Sequence, residues 1–232
     1  MRPLLLYQSI VIIIPAKNEE TTVGQVIAEI RTYFNGNIVV VDDASTDDTA
    51  KIASKAGAQV ISLPLSLGAW GAVQTGLRYA LKMGYHTAIT MDADGQHEAQ
   101  SIPILLAHLT NKNCDVVIGA YPQRGSFLRK SAWFMFRQLS GVSLEDLTSG
   151  LRAYNYHSMI LLASSKATLL EYQDLGVLML LRYAGLHIEE VPILMRPRSV
   201  GHSRIFNSWF SVSKYMLYTG ILCLAQMRRR KK

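Results

Sequence analysis

The stretch Ile10-Val11-Ile12-Ile13-Ile14 places five β-branched residues in a row. Such side chains are stiff at χ1 and suit a pleated backbone, so the run reads as a strand. With no polar alternation it has no face for water, and it belongs in a sheet covered on both sides. The rest of the chain supplies the cover. Val23, Val26, Ile27 and Ile30 recur at helical spacing in a helix opening near Glu19. A second strand spans Ile38 to Val41 and a third Gln59 to Leu63, and Gly68, Gly71 and Gly76 punctuate a loop and helix running to Met83. Thr87 to Met91 is the next strand, then a helix from Ala99 to Leu109 and a strand from Asp115 to Ala120. Strict alternation predicts an α/β fold with a mainly parallel, doubly wound sheet. Later segments read as a helix ending near Ser164, another over Asp174 to Tyr183, and a strand over Ile188 to Ile193. With no internal repeat or linker, residues 1–204 read as one domain and 205–232 as an amphipathic, basic extension.

In sheets of this kind ligands bind at the carboxyl ends of the strands. Three strands end there in polar or acidic groups: Asn18 and Glu19, Asp42 and Asp43, and Asp92 and Asp94. Asp92 and Asp94 are two apart and face the same side of an extended chain. Their hard oxygens suit Mg²⁺ or Mn²⁺ shared with a substrate phosphate. An isolated Asp-x-Asp-Gly is also a common solvated turn; the coincidence of three polar strand ends at one edge favours a site. Ser45 or Thr46 reads as the cap of the following helix, with Asp47 and Asp48 in its first turn. His97 is either a metal contact or a hydrogen-bonded histidine opening a helix. Gly68 and Gly71 either admit a nucleotide to the backbone or simply start a helix.

A formal charge of +7 points to an anionic partner, and much of the excess sits in Arg228, Arg229, Arg230, Lys231 and Lys232. No nucleic-acid-binding signature accompanies it. Cys114 and Cys223 have no metal-ligand spacing and read as reduced packing thiols of a cytoplasmic protein. The N-terminal apolar run leads into Pro15 without a cleavage-like site, which argues a strand and not a signal peptide. From Ile205 to Ala225 the chain is mostly apolar, yet Lys214 and several polar residues share one side. That pattern suits a helix lying in the interface of an anionic membrane; packing on the domain or a second copy, or a true span, are the alternatives.

Five segments in order resemble the inverting family-2 glycosyltransferases of GT-A fold, most closely the dolichyl- and polyprenyl-phosphate sugar synthases. They are Ile13 to Glu20, Val39 to Asp47, Asp92 to His97, Asp146 to Arg152 and Arg198 to Arg204. The resemblance implies that Pro15, Asn18, Glu19, Asp42 and Asp43 contact a GDP- or UDP-linked sugar. It implies that Asp92 and Asp94 hold the metal on the diphosphate, with Gln96 nearby and Asp94 catalytic. Arg198, Ser203 and Arg204 would close over the donor phosphates; the family often carries Lys where Arg204 stands. Arg129, Ser131 and Arg137 correspond loosely to the family's acceptor-phosphate set, Arg152 is either an acceptor contact or a structural salt-bridge partner, and Asp174 stands roughly where the family often has Glu.

The expected reaction moves a sugar to a dolichyl or undecaprenyl phosphate at the cytoplasmic face of the cell membrane. The enzyme would attach peripherally, alone, as a homodimer or with a small membrane-protein partner. A hydroxyl acceptor on a lipid-linked or surface glycan is the alternative, and it would need a base. Asp146 is the candidate for that base or for orienting the acceptor, against a simple capping role. A non-catalytic nucleotide-sugar-binding protein is a third reading, disfavoured by the intact Asp92 and Asp94.

Overall fold

The computed structural model describes residues 9–112, 114–121, 123, 144–168, 170 and 175–196. Among them are strands β1 (Ile10–Ala16), β2 (Asn37–Asp42), β3 (Gln59–Ser62), β4 (Thr87–Thr90), β5 (Val116–Ala120), β6 (Arg152–Asn155) and β7 (Ile188–Pro192). The helices are α1 (Val23–Tyr33), α2 (Thr49–Lys55), α3 (Gly68–Lys82), α4 (Ser101–Asn111), α5 (Tyr156–Ala163), α6 (Ser165–Thr168) and α7 (Leu175–Tyr183). The strands form one sheet in the order β3-β2-β1-β4-β6-β5-β7.

β1 pairs in parallel with β2 and β4, and β2 with β3, as strand–helix alternation requires. β6 runs against both neighbours, β4 and β5. The mainly parallel reading stands, but Arg152 to Asn155 is a strand where the sequence suggested only the approach to a helix. Four residues, Arg-Ala-Tyr-Asn, carry no period of their own; they become a strand because β4 and β5 both offer unpaired backbone to them.

Period-two geometry divides β1 between two cores. Val11 and Ile13 pack with Val39, Val41, Tyr154 and the buried sides of α3, α5 and α7. Ile10, Ile12 and Ile14 pack with Ile38, Val40 and the apolar stripes of α1 and α4. Each fully buried side chain of this size stabilises the fold by roughly 1.5–3 kcal/mol. On α3, residues four apart serve a polar purpose as well. Trp70 Nε1 donates to Ala167 O at 2.8 Å, Gln74 Nε2 to Leu162 O at 2.8 Å, and Arg78 Nε to Ala163 O at 2.9 Å. These bonds satisfy carbonyls at the end of α5 and in α6 that the helices themselves leave open.

α2 starts later than the sequence suggested. Asp48 stands at its N-cap and makes no side-chain capping bond. Ser45 and Thr46 are turned instead toward Asn18, for reasons that belong to the site.

Candidate active site

β1, β2 and β4 all end at one edge of the sheet. Asp43 N donates to Ala16 O at 2.8 Å, and Met91 N to Ile13 O at 3.1 Å, so the ladder continues past the formal strand ends. The loops leaving β1 and β2 are bonded together. Asn18 N donates to Ser45 Oγ at 2.9 Å, and Asn18 Oδ1 accepts from Thr46 N at 2.8 Å. Glu19 N donates to Thr49 Oγ1 at 2.8 Å, and Glu20 Oε2 accepts from Asp48 N at 3.0 Å. Asn18 and Ala44 sit at φ 50° and 55°. For Ala44 that left-handed backbone costs on the order of 1 kcal/mol, a strain the surrounding bonds hold in place.

The two aspartates ending β2 have different tasks. Asp43 Oδ1 accepts from Leu67 N at 2.6 Å, while Oδ2 accepts from Ser66 Oγ at 2.6 Å and Gly68 N at 3.1 Å. Its carboxylate is therefore spent on the first backbone N–H groups of α3, where an anion also meets the helix dipole. Gly68 thus belongs to a helix start. Among the described residues the Asp42 carboxylate accepts a single bond, to Oδ1 from Ser45 N at 3.2 Å. Of the pair, Asp42 is the carboxylate with capacity left for a ligand, beside half-buried Pro15.

Two residues past β4, Asp92 presents a side chain that is 42% exposed. Its Oδ2 lies 3.3 Å from Nε2 of His97, a ring that is 1% exposed. Gly95, at φ 73°, turns the chain, and Asp94 Oδ1 accepts from Gln96 N at 3.1 Å. Asp92, Asp94 and Gln96 are thus brought to the same edge as Asn18 and Asp42. Among the described residues no group of three or more His, Cys, Asp or Glu could hold a metal ion unaided.

The Asp146-to-Arg152 segment closes this edge from the far side of β4. Thr90 Oγ1 donates to Gly150 O at 2.8 Å. Gly150 lies so close to Asp92 that a Cβ built on it would overlap both carboxylate oxygens. Asp146 is fully buried: Oδ2 accepts from Tyr121 N at 3.2 Å, and Oδ1 from Thr148 N at 3.0 Å and Thr148 Oγ1 at 3.2 Å. At least three donors engage its two oxygens, which suits shaping the loop and not abstracting a proton. Behind it, Glu190 accepts from Glu145 N at 2.6 Å and Asp146 N at 2.8 Å, and burial holds its carboxyl above the usual carboxylate range.

Arg152 differs from the expectation of an acceptor contact. It is fully buried and donates to Leu147 O at 3.0 Å and Ser149 O at 2.8 Å. Facing inward from β6, it pins the loop and does not reach outward. Arg129, Ser131, Arg137, Asp174, Arg198, Ser203, Arg204 and the extension from Ile205 lie outside the described residues.

Two residues that the sequence did not single out join the site's frame. Arg196 pairs with Glu29 on α1, Nη1 to Oε2 at 2.7 Å and Nη2 to Oε1 at 3.1 Å. Its N–H donates to Gln96 O at 2.8 Å, and His97 forms a β-bridge with Met195. The chain therefore passes directly beside the Asp92–Asp94 turn just before Arg198. No local pattern could have revealed a contact spanning 167 positions.

This fold is that of the GT-A glycosyltransferases. The model of glycosyl transferase family 2 matches residues 11–162, well over half the chain. The chain belongs to that family and is a glycosyltransferase. It is 30% identical over 213 residues to the undecaprenyl-phosphate mannosyltransferase of Micrococcus luteus, covering 83% of this chain and 86% of that one. To the UDP-N-acetylglucosamine–dolichyl-phosphate N-acetylglucosaminyltransferase of Methanococcus voltae it is 29% identical, covering 79% and 84%. The glucosyl-3-phosphoglycerate synthase of Mycobacterium tuberculosis, solved with Mn²⁺ and UDP-glucose, superposes with a TM-score of 0.72 at 23% identity, covering 96% and 84%. That likeness speaks for the fold.

Proposed function

We propose that the protein transfers a sugar from a nucleotide-diphosphate sugar to a polyprenyl phosphate, with inversion at the anomeric carbon. The observation that carries this reading is the meeting of Asn18, Asp42, Asp92 and Asp94 at one sheet edge. The relatives named for undecaprenyl- and dolichyl-phosphate transfer support the choice of acceptor.

Asn18, Asp42 and the strained Ala44 line the place for base and ribose, with Pro15 and Glu19 beside them. Asp92 and Asp94 fit Mg²⁺ or Mn²⁺. Their oxygens are hard, Asp92 is half open to solvent, and among the described residues no third His, Cys, Asp or Glu completes a metal cluster with them, as suits an ion that also takes phosphate and water. When bound, such an ion stabilises negative charge on the departing nucleoside diphosphate. The M. tuberculosis enzyme has been solved with Mn²⁺ and with Mg²⁺.

The acceptor phosphate is already ionised near neutral pH. One of its oxygens forms the new bond to the anomeric carbon as the old bond to the diphosphate breaks and its electron pair leaves with the diphosphate. No protein base is demanded, which agrees with the full engagement of Asp146. Arg198, Ser203 and Arg204 are assigned to the donor phosphates, where a guanidinium fork can grip two oxygens. Arg129, Ser131 and Arg137 are assigned to the acceptor phosphate.

The site of action would be the cytoplasmic membrane face, with the 205–232 extension lying on the bilayer surface; no described helix is long and apolar enough to cross a membrane. Incubation of the purified protein with UDP- and GDP-sugars, Mn²⁺, and either polyprenyl phosphate or a glycan tests the reading. Product on the lipid phosphate is expected. Transfer to the glycan alone would replace the acceptor assignment, and donor binding without turnover would overturn the reaction.

A further inference from the structure

We infer that His97 and Gly150 are positioning residues that together hold the Asp92 carboxylate in one orientation for its cation. The inference rests on the reading that Asp92 and Asp94 take a divalent ion. A half-exposed aspartate ordinarily samples several rotamers, and freezing it on binding costs free energy. Here the freezing is built into the fold from two sides.

One side is the ring of His97. A carboxylate only accepts hydrogen bonds, so the 3.3 Å contact to Asp92 Oδ2 requires the proton on Nε2. Nδ1 is buried and has no partner among the described residues. Leaving a buried polar atom unmatched costs about 1–3 kcal/mol. A histidine placed merely to satisfy its own ring would use both nitrogens, or would be replaced by an apolar residue of similar size. The bond it does make is to Asp92. Its backbone is held by the bridge to Met195, so the ring approaches from a fixed frame.

The other side is bare backbone. A Cβ on residue 150 would occupy the space of the Asp92 carboxylate, so only glycine lets that carboxylate sit where it does. Gly150 cannot drift away to make room. Thr90 Oγ1 holds its carbonyl at 2.8 Å, and Arg152 grips the carbonyls of Leu147 and Ser149 on the same turn. Imidazole and backbone form two walls of a slot with the carboxylate between them. Such outer contacts orient a ligand before the ion arrives and typically alter metal affinity by ~10–100-fold.

The test measures Mn²⁺ binding to the full chain with saturating UDP, and in parallel with GDP, by electron paramagnetic resonance. His97→Gln keeps an amide donor at about the reach of Nε2, whereas His97→Asn places its amide near the position of Nδ1 and loses that donor. Mn²⁺ affinity is expected to fall roughly 10–100-fold in His97→Asn and to be largely rescued in His97→Gln. Gly150→Ala should lose affinity at least as severely, and thermal unfolding reports whether each variant is folded. Equal affinity for wild type and a folded His97→Asn would overturn the inference, as would equal losses in the Asn and Gln variants. If wild type itself binds no Mn²⁺ with either nucleotide, the metal reading and this inference fail together. If wild type binds and Asp94→Ala does not, the reading stands whatever His97 shows.

Discussion

Arg196 and Glu29 meet fork to fork, 2.7 and 3.1 Å apart, across 167 positions of sequence. Glu98 lies 3.6 Å from the same guanidinium. The pair ties the end of the β7 segment to α1 and keeps it against the turn that carries Asp94. A neighbouring hydrogen bond and charge from Glu29 raise the Arg196 pKa still further, so the cation persists at any practical pH.

The half-exposed ion pair itself contributes about 1 kcal/mol or less, but Glu29→Ala also takes the acceptor from the buried Ala99 N–H at 3.0 Å, so a total cost of about 1–3 kcal/mol is expected. The substitution's larger effect is expected on donor KM, raised severalfold with kcat changed less, because Arg198 follows Arg196 closely. Steady-state kinetics at two salt concentrations checks this. A fall in kcat at constant KM would count against an anchoring role.

Asp94→Ala should abolish turnover while leaving circular dichroism and melting temperature near wild type, since Asp94 is half-buried at the site edge and packs no core. Retention of most activity would sink the metal assignment.

Asp42 and Asp43 should separate cleanly. Asp43→Ala removes three hydrogen bonds from the start of α3 and is expected to cost about 2 kcal/mol in urea denaturation. Asp42→Ala removes one, and its main effect should be weaker nucleotide binding, measured by calorimetry. The reverse pattern would show that the carboxylates have been assigned the wrong way round.

Glu190 carries a pH signature. Burial raises its folded pKa above the ordinary 4.5, partly opposed by the N–H bonds from Asp146 and Glu145. A raised folded pKa means the folded state holds the proton more tightly. The associated stability is fully present below about 4.5 and is lost as pH rises through the folded value. Glu190→Gln should flatten that decline, seen in urea midpoints measured from pH 4 upward. An unchanged slope would place the titration elsewhere.

Deleting Ile205 to Lys232 should reduce sedimentation with anionic vesicles, more so at low salt, if the extension lies on a membrane surface. Unchanged partitioning would move the membrane contact elsewhere in the chain.

The legible parts of this protein were those written in short-range pattern. The run Ile10 to Ile14 announced a doubly covered strand, and Asp92 and Asp94 stood out because strand order placed them at the edge where Asp42 and Asn18 also fall. Less legible were β6, Glu29 and the gripping of loop carbonyls by Arg152. β6 and Glu29 depend on partners dozens of residues away, while Arg152 reaches carbonyls only three and five residues back, on a turn whose shape the rest of the fold sets.

By itself, then, the sequence determined the alternation of elements, the two-faced core and the identity of the carboxylates at the strand-end edge. Periodicity and side-chain chemistry act within a few residues and need no knowledge of neighbours. Only the tertiary structure decided how those carboxylates are used. It gave Asp43 to a helix start, closed Asp146 with three donors, turned Arg152 inward, and set Asp92 between His97 and a bare glycine. A hydrogen-bonding group's role depends on which partner reaches it first, and packing of the whole chain determines that partner.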